Sequence, residues 1–227
     1  MEVREKALKT RRFGIKVHAI TLFVFFTVLL ASSAMAHSKA FQGRKLFVTY
    51  CYLCHGTSGK GDGPLSSKLK VPPADLTDNA RVGKRTDVEL FGIIQGGKHD
   101  LVTKDMPKWG KVILGPQIEA LVAYVRFLSL SKNPLIGDAE VGEHIYLDYC
   151  TSCHGEKGKG DGIMMSIVPI KAADHTNAER MDKMTNEELV RIVTNGKDAG
   201  SFMPGWKGIL SQSEIEAVVS YMRFLSH

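Results

Sequence analysis

Long apolar runs are nearly absent from this chain. The one present, Ile20 to Ala31, holds 12 residues, against the roughly 20 that a membrane-spanning helix wants. It follows a basic start (Arg4, Lys6, Lys9, Arg11, Arg12, Lys16) and precedes Ala34-Met35-Ala36, a small-residue cleavage pattern. Residues 1–36 therefore read as an export signal cut after Ala36, with an uncleaved membrane tether as the alternative. A surplus of one charge is also lacking once that leader is set aside. The remainder carries 24 Lys and Arg against 22 Asp and Glu, a net of +2, so the pI near 9.1 belongs largely to the leader. That balance, with an exported location, excludes nucleic-acid binding. No run alternates convincingly with period two, so strands should be few. Cysteine is scarce as well, and none of the four stands outside two pentapeptides.

Those pentapeptides are Cys51-Tyr-Leu-Cys54-His55 and Cys150-Thr-Ser-Cys153-His154. Cys-x-x-Cys-His is the c-type haem attachment signature. On one helical turn, thiols at i and i+3 face the same side, so both can add across the vinyl groups of one porphyrin. The adjacent histidine then lies under the ring centre, where it can ligate iron. Structural zinc and dithiol redox chemistry are the competing readings. Pairs 99 residues apart are far beyond ordinary zinc-ligand spacing, and a dithiol site needs no histidine next to it. Two haems c are expected, and their attachment takes place outside the bacterial cytoplasm, where the leader sends the chain.

The spacing belongs to a larger repeat. Gly43-x-x-x-Phe47 answers Gly142-x-x-x-Tyr146, Gly59-Lys-Gly-Asp-Gly63 answers Gly158-Lys-Gly-Asp-Gly162, and Asp75-Leu-Thr77 answers Asp174-His-Thr176. Met106-Pro107-Lys-Trp109 matches Met203-Pro204-Gly-Trp206, and Tyr124-Val-Arg-Phe-Leu128 matches Tyr221-Met-Arg-Phe-Leu225. Each copy predicts three main helices. The first covers about 40–54 and 139–153. A middle helix opens at the capping boxes Thr86-x-x-Glu89 and Thr185-x-x-Glu188 and ends near Gly96 and Asn195. The last runs over about 116–130, with its copy opening at Ser211-x-x-Glu214 and continuing through Leu225. A glycine inside the first helix costs roughly 1 kcal/mol against alanine, which predicts that the last helix crosses close to it there. The Gly-Lys-Gly-Asp-Gly loop lacks the strand-to-helix context of a phosphate cradle.

On both Cys-x-x-Cys-His motifs, the helix-one glycine and aromatic, Met-Pro and the aromatic last helix, the chain resembles the class I cytochromes c, specifically their two-domain, two-haem members, over residues 37–227. The resemblance implies an all-α fold of two tandem cytochrome c domains, each a small three-to-four-helix module. Residues 37–130 would form domain 1, 131–138 a linker and 139–227 domain 2. It also implies a methionine sixth ligand about 50 residues past each haem histidine, hence Met106 with His55 and Met203 with His154; His99 and His175 are the rivals. In the family a proline after the attachment site helps orient the proximal histidine; in the second copy Val71-Pro72-Pro73 has become Ile170-Lys171-Ala172, so support of the second histidine is expected to differ. Trp109 and Trp206 read as packing. His/Met ligation closes the iron and favours electron transfer over chemistry at the metal. The expected function is a periplasmic electron carrier working between redox proteins. The alternatives are a dihaem enzyme (a peroxidase or sulfur-compound dehydrogenase) and an electron-accepting subunit of a larger oxidoreductase. Residues 37–133 carry a net +7 and 134–227 a net −5. Lys98, Lys104, Lys108 and Lys111 around Met106 would suit an acidic partner.

Overall fold

A computed structural model describes residues 38–97, 106–169, 171–197 and 201–227. The expected leader lies outside these residues, as do Lys98, His99 and Lys104. Among the described residues the chain is helical, with no strand beyond an isolated bridge between Lys207 and Leu210. The first repeat comprises α1 (Lys39–Tyr50), α2 (Tyr52–His55), α3 (Asn79–Val82), α4 (Asp87–Gly96) and α5 (Gly115–Leu130). The second comprises α6 (Ala139–Tyr149), α7 (Thr151–His154), α8 (Ala178–Lys183), α9 (Asn186–Asn195) and α10 (Gln212–Leu225). The expected first helix is thus present but stepped at each leading cysteine, where Cys51 and Cys150 leave the regular helical φ at −114° and −111°. The short α3 and α8 were not anticipated. Both are opened by Asx caps at Asp78 and Asn177, a signal visible in the sequence.

All three capping boxes form. Thr86, Thr185 and Ser211 each accept from the backbone N–H three residues on, and Glu89, Glu188 and Glu214 reach back to the cap N–H at 2.6, 2.8 and 2.8 Å. Each cap contributes about 1 kcal/mol. The last helix of each repeat forms the core: Ile118, Leu121, Val122 and Val125 of α5, and Ile215, Val218, Val219 and Met222 of α10, are all buried. Full burial of such a side chain is favourable by about 1.5–3 kcal/mol. Each last helix crosses the first at the helix-one glycine. A Cβ on Gly43 would stand 1.9 Å from the Ala120 carbonyl oxygen, and one on Gly142 would stand 1.9 Å from that of Ala217.

One arginine per repeat holds the stretch between the short and middle helices. Arg126 donates to the carbonyls of Val82 and Arg85 and to Asp87. Arg223, only 1% exposed, donates to the carbonyls of Met181 and Met184 and to the Asn186 side chain.

The two repeats share a seam. Phe127 and Phe224, the same position in the two copies, stack at 4.4 Å and 20°. Phe41 of α1 lies edge-on to Tyr221 and Phe224 at 5.5 and 5.3 Å. The connecting stretch is tied down: Ile136 and Gly137 N–H donate to Ser220 Oγ at 3.0 and 2.8 Å, and Asn186 donates to the Pro134 carbonyl at 2.7 Å. Arg44 meets Asp138 and Glu140 at 3.3 Å each, and Lys45 meets Glu143 at 3.6 Å. Part of the charge asymmetry is therefore spent inside the molecule. Without these two cations and three anions the excess falls to +5 and −2.

Candidate haem sites and related proteins

In both repeats the chain enters the attachment turn from the end of the first helix. Gly56 and Gly155, at φ 74°, end α2 and α7. The glycine-rich loop then folds back on the turn it leaves. Gly61 N–H donates to the His55 carbonyl at 2.9 Å and Gly63 N–H to that of Cys54 at 3.1 Å; Gly160 and Gly162 do the same to His154 and Cys153 at 2.8 and 3.1 Å. At Gly61 (φ +79°) a side chain would also strike the Pro73 carbonyl, 2.4 Å from the added carbon. The loop is a brace for the pentapeptide, and its glycines are used up in bracing it.

None of the four cysteines is in a disulfide. Burial, with the neighbouring Cys54 and Cys153 adding to it, pushes the Cys51 and Cys150 thiols up to about 12. They stay protonated at neutral pH. His55 Nδ1 lies 3.2 Å from the Ala74 carbonyl, and His154 Nδ1 lies 3.0 Å from that of Ala173. A carbonyl only accepts, so Nδ1 carries the proton and each Nε2 presents a lone pair. Burial lowers both histidines below their ordinary range, the backbone bonds opposing it and Arg180 adding to it at His154, which keeps them neutral and fit to ligate. The expectation that lost prolines change the second histidine's support does not hold at this bond: equivalent alanines accept from both rings at nearly equal length.

Opposite the attachment turn, the methionine segments are seated alike. Gly97 (φ +68°) and Gly196 (φ +78°), at the ends of α4 and α9, leave room for the Met106 and Met203 carbonyls, 2.6 and 2.7 Å from where a Cβ would sit. Trp109 packs on Tyr50 at 5.6 Å and Trp206 on Tyr149 at 5.3 Å. The tryptophans thus join each methionine segment to the helix that carries the cysteines, as packing residues. In the first repeat, Cys51, Cys54, His55, Met106 and Trp109 all line one largely apolar cavity of about 450 Å³. Cofactor pockets run to about 300–1,000 Å³ with few polar groups, and two thiols, one imidazole and one thioether are the donors a c-type haem uses. The residues fit that group.

His175 does not face His154 across a metal. The two rings lie face to face, centroids 4.3 Å apart and 20° from parallel. Iron between axial imidazoles needs two ring nitrogens pointing at it from about 2 Å each, which a stack excludes. His175 Nδ1 instead pairs with the Tyr146 hydroxyl at 3.1 Å. Burial, with His154 and Arg180 adding to it, holds His175 down at about 3. In the first repeat the corresponding residues are Phe47 and Leu76. The other rival ligand, His99, lies outside the described residues. Sequence reasoning passed over Arg126, Arg223 and Phe41. For Phe41 a signal existed, since the repeat places the acidic Glu140 where the first copy has a large apolar ring.

Residues 38–125 and 137–222 match the family "Cytochrome C oxidase, cbb3-type, subunit III". The chain belongs to this family. It is a cytochrome of two tandem c-type domains, and its cofactor is haem c, one for each domain. The cytochrome is 29% identical over 198 residues to the "Cbb3-type cytochrome c oxidase subunit FixP" of Bradyrhizobium diazoefficiens, covering 85% of this chain and 62% of that protein. It is 28% identical over 196 residues to the subunit CcoP of Azospirillum brasilense, covering 81% and 61%. It thus spans about three fifths of the length of these relatives. A solved "Kuenenia stuttgartiensis reducing HAO-like protein complex" chain aligns at 24% identity over 82% of this chain and 96% of that one, with a TM-score of 0.36, too low to carry an argument. No helix among the described residues is long and apolar enough to cross a membrane.

Proposed function

We propose that this cytochrome carries single electrons between redox proteins on the periplasmic side of the membrane. Cys51 and Cys54 would hold one haem and Cys150 and Cys153 the other by thioether bonds, with His55 and His154 as proximal ligands and Met106 and Met203 as sixth ligands. The observation that carries this reading is the twofold recurrence of one geometry: a pair of free thiols, a neutral histidine tethered at Nδ1, and a methionine seated on the end of the middle helix. Each haem c supplies a one-electron ferric/ferrous couple. The chain's own part is to fix the imidazole by its carbonyl bond, which raises its basicity, and to close the sixth position with a neutral thioether, which favours the ferrous state. Closed coordination argues against the peroxidase and dehydrogenase alternatives. The domain bounds 37–130 and 139–227, with 131–138 between them, belong to the same reading.

Contacting rings support exchange of the electron within one chain. They run from His55 through Phe47, Tyr124, Phe224, Phe41, Tyr221, Tyr146 and His175 to His154, with centroids never more than 6.3 Å apart. The family match favours one specific setting, service as a subunit of a cbb3-type oxidase, over a freely diffusing carrier. Co-purification of a stable oxidase partner from native membranes distinguishes the two.

Mass spectrometry of the exported chain should find two covalently added haems, and Met106→Ala and Met203→Ala should each abolish the methionine–iron charge-transfer absorption of one haem. One added haem, or none, sinks the reading. Of the four lysines around Met106, Lys108 and Lys111 are described, and both are exposed. Reversing them to glutamate should slow electron exchange with an acidic partner by roughly tenfold at low ionic strength and flatten its salt dependence. Stopped-flow rates equal to wild type at every salt concentration would remove that docking surface.

A further inference from the structure

The two repeats make an internal comparison. They agree at the cysteines, the proximal histidines, their carbonyl partners, the methionines and the tryptophans. They differ behind the proximal ring. Where the first repeat has Phe47 and Leu76, the second has Tyr146 and His175. The two differences go together: the hydroxyl appears in the copy that has the imidazole, and the two bond to each other at 3.1 Å. Both residues are buried, His175 at 5% exposure and Tyr146 at 0%. A buried polar pair of this kind is costly unless satisfied, and here it is satisfied by its own members. The pair is pressed onto one target, because the His175 ring lies flat on His154 at 4.3 Å and Tyr146 meets His175 edge-on at 5.9 Å. A Cβ on Gly158 (φ +74°) would come within 3.2 Å of His175 Cβ and 3.4 Å of the Tyr146 hydroxyl, so the brace loop pins the pair from behind.

We propose that His175, held by Tyr146, is a positioning residue that lowers the reduction potential of the second haem below that of the first, so that an electron shared by the two comes to rest in the first repeat. This rests on the reading above that His55 and His154 are the proximal ligands. The physical ground is charge. The oxidised site carries one more positive charge than the reduced one. An imidazole face, with the negative side of its ring quadrupole turned to the ligand and its ring held in that place by the Tyr146 hydroxyl, stabilises that charge better than the methyl groups of Leu76. Groups just behind a metal ligand are among the protein's means of setting a haem potential.

The test is an optical redox titration of the full chain with both haems attached. His175→Leu should raise the lower of the two midpoints and leave the higher in place. The expected change is about tenfold in the reduced-to-oxidised ratio at fixed poise, or about 59 mV for one electron. Tyr146→Phe should move the same midpoint the same way by less. The reciprocal double variant Phe47→Tyr/Leu76→His should lower the higher midpoint, and it keeps the inference testable if His175→Leu fails to fold. A mere packing role for His175 predicts a lower melting temperature with both midpoints unmoved, and that result overturns the inference. Two attached haems with unmoved midpoints defeat this inference alone. Fewer than two attached haems defeat the underlying ligand assignment as well.

Discussion

Phe224→Ala is expected to cost about 3–5 kcal/mol and to split the unfolding of the haem-loaded protein into two transitions. The ring is 1% exposed and touches Phe127, Phe41 and Tyr124, all from the first repeat, at 4.4, 5.3 and 6.2 Å. Its removal leaves a hole walled by rigid aromatics on two helices, a site that collapses poorly, which puts the cost at the upper end. What else joins the repeats is less extensive: Phe41 keeps its edge-on contact with Tyr221 at 5.5 Å and Phe127 one with His227 at 5.7 Å. Arg44 pairs across the seam with the exposed carboxylates of Asp138 and Glu140, and such pairs contribute at most about 1 kcal/mol each; half-exposed Lys45 reaches the buried Glu143 only at 3.6 Å. The tie of Ile136 and Gly137 to Ser220 fastens the connecting stretch to the second repeat and involves no residue of the first. Once the stack is gone, each repeat should melt by itself. Differential scanning calorimetry of wild type and variant reads this directly, and a single transition at an unchanged midpoint would show that the seam contributes no stability.

That seam marks the limit of what the sequence shows. Periodicity and capping were sufficient for the helices, because Thr86, Thr185 and Ser211 act locally and the apolar spacing of α5 and α10 reflects burial within one repeat. The site was legible for a similar reason. Two Cys-x-x-Cys-His turns fix the thiols and imidazole by covalent spacing, and the repeat aligns the methionines behind them. The partners of Phe41 were not legible, since Tyr221 and Phe224 are about 180 residues away in the chain and no local pattern points to them. The net charges of the two halves suggested an external partner, yet Arg44, Lys45, Asp138, Glu140 and Glu143 spend part of that charge on one another. His175 was visible as a histidine but not as a stacking partner, because a ring's orientation depends on the loop carrying it. The repeat held usable hints all the same. Positions where the copies differ in kind, Phe41 against Glu140, Arg44 against Glu143 and Leu76 against His175, are the places where the two halves meet or diverge in chemistry.

The same substitution should have opposite signs at different helical glycines. Gly142→Ala puts a methyl 1.9 Å from the Ala217 carbonyl oxygen and 2.3 Å from its carbon. These are backbone atoms of a buried helix with no rotamer to yield, so α6 and α10 must part. Overpacking of this kind costs about 1–3 kcal/mol where side chains can adjust, and more where they cannot, so a loss of about 3 kcal/mol or more is expected. Gly43→Ala meets the Ala120 carbonyl in the same way at 1.9 Å and should cost as much in the first repeat. Gly92, inside the exposed side of α4, has nothing within 4 Å of an added carbon. There alanine removes backbone freedom from the unfolded chain at no steric cost, and a gain of about 0.4–1 kcal/mol is expected. Denaturant titration of the three variants, each with both haems attached, measures all three effects. The close-crossing account of the helix-one glycines does not survive if Gly43→Ala and Gly142→Ala unfold at the same denaturant concentration as Gly92→Ala.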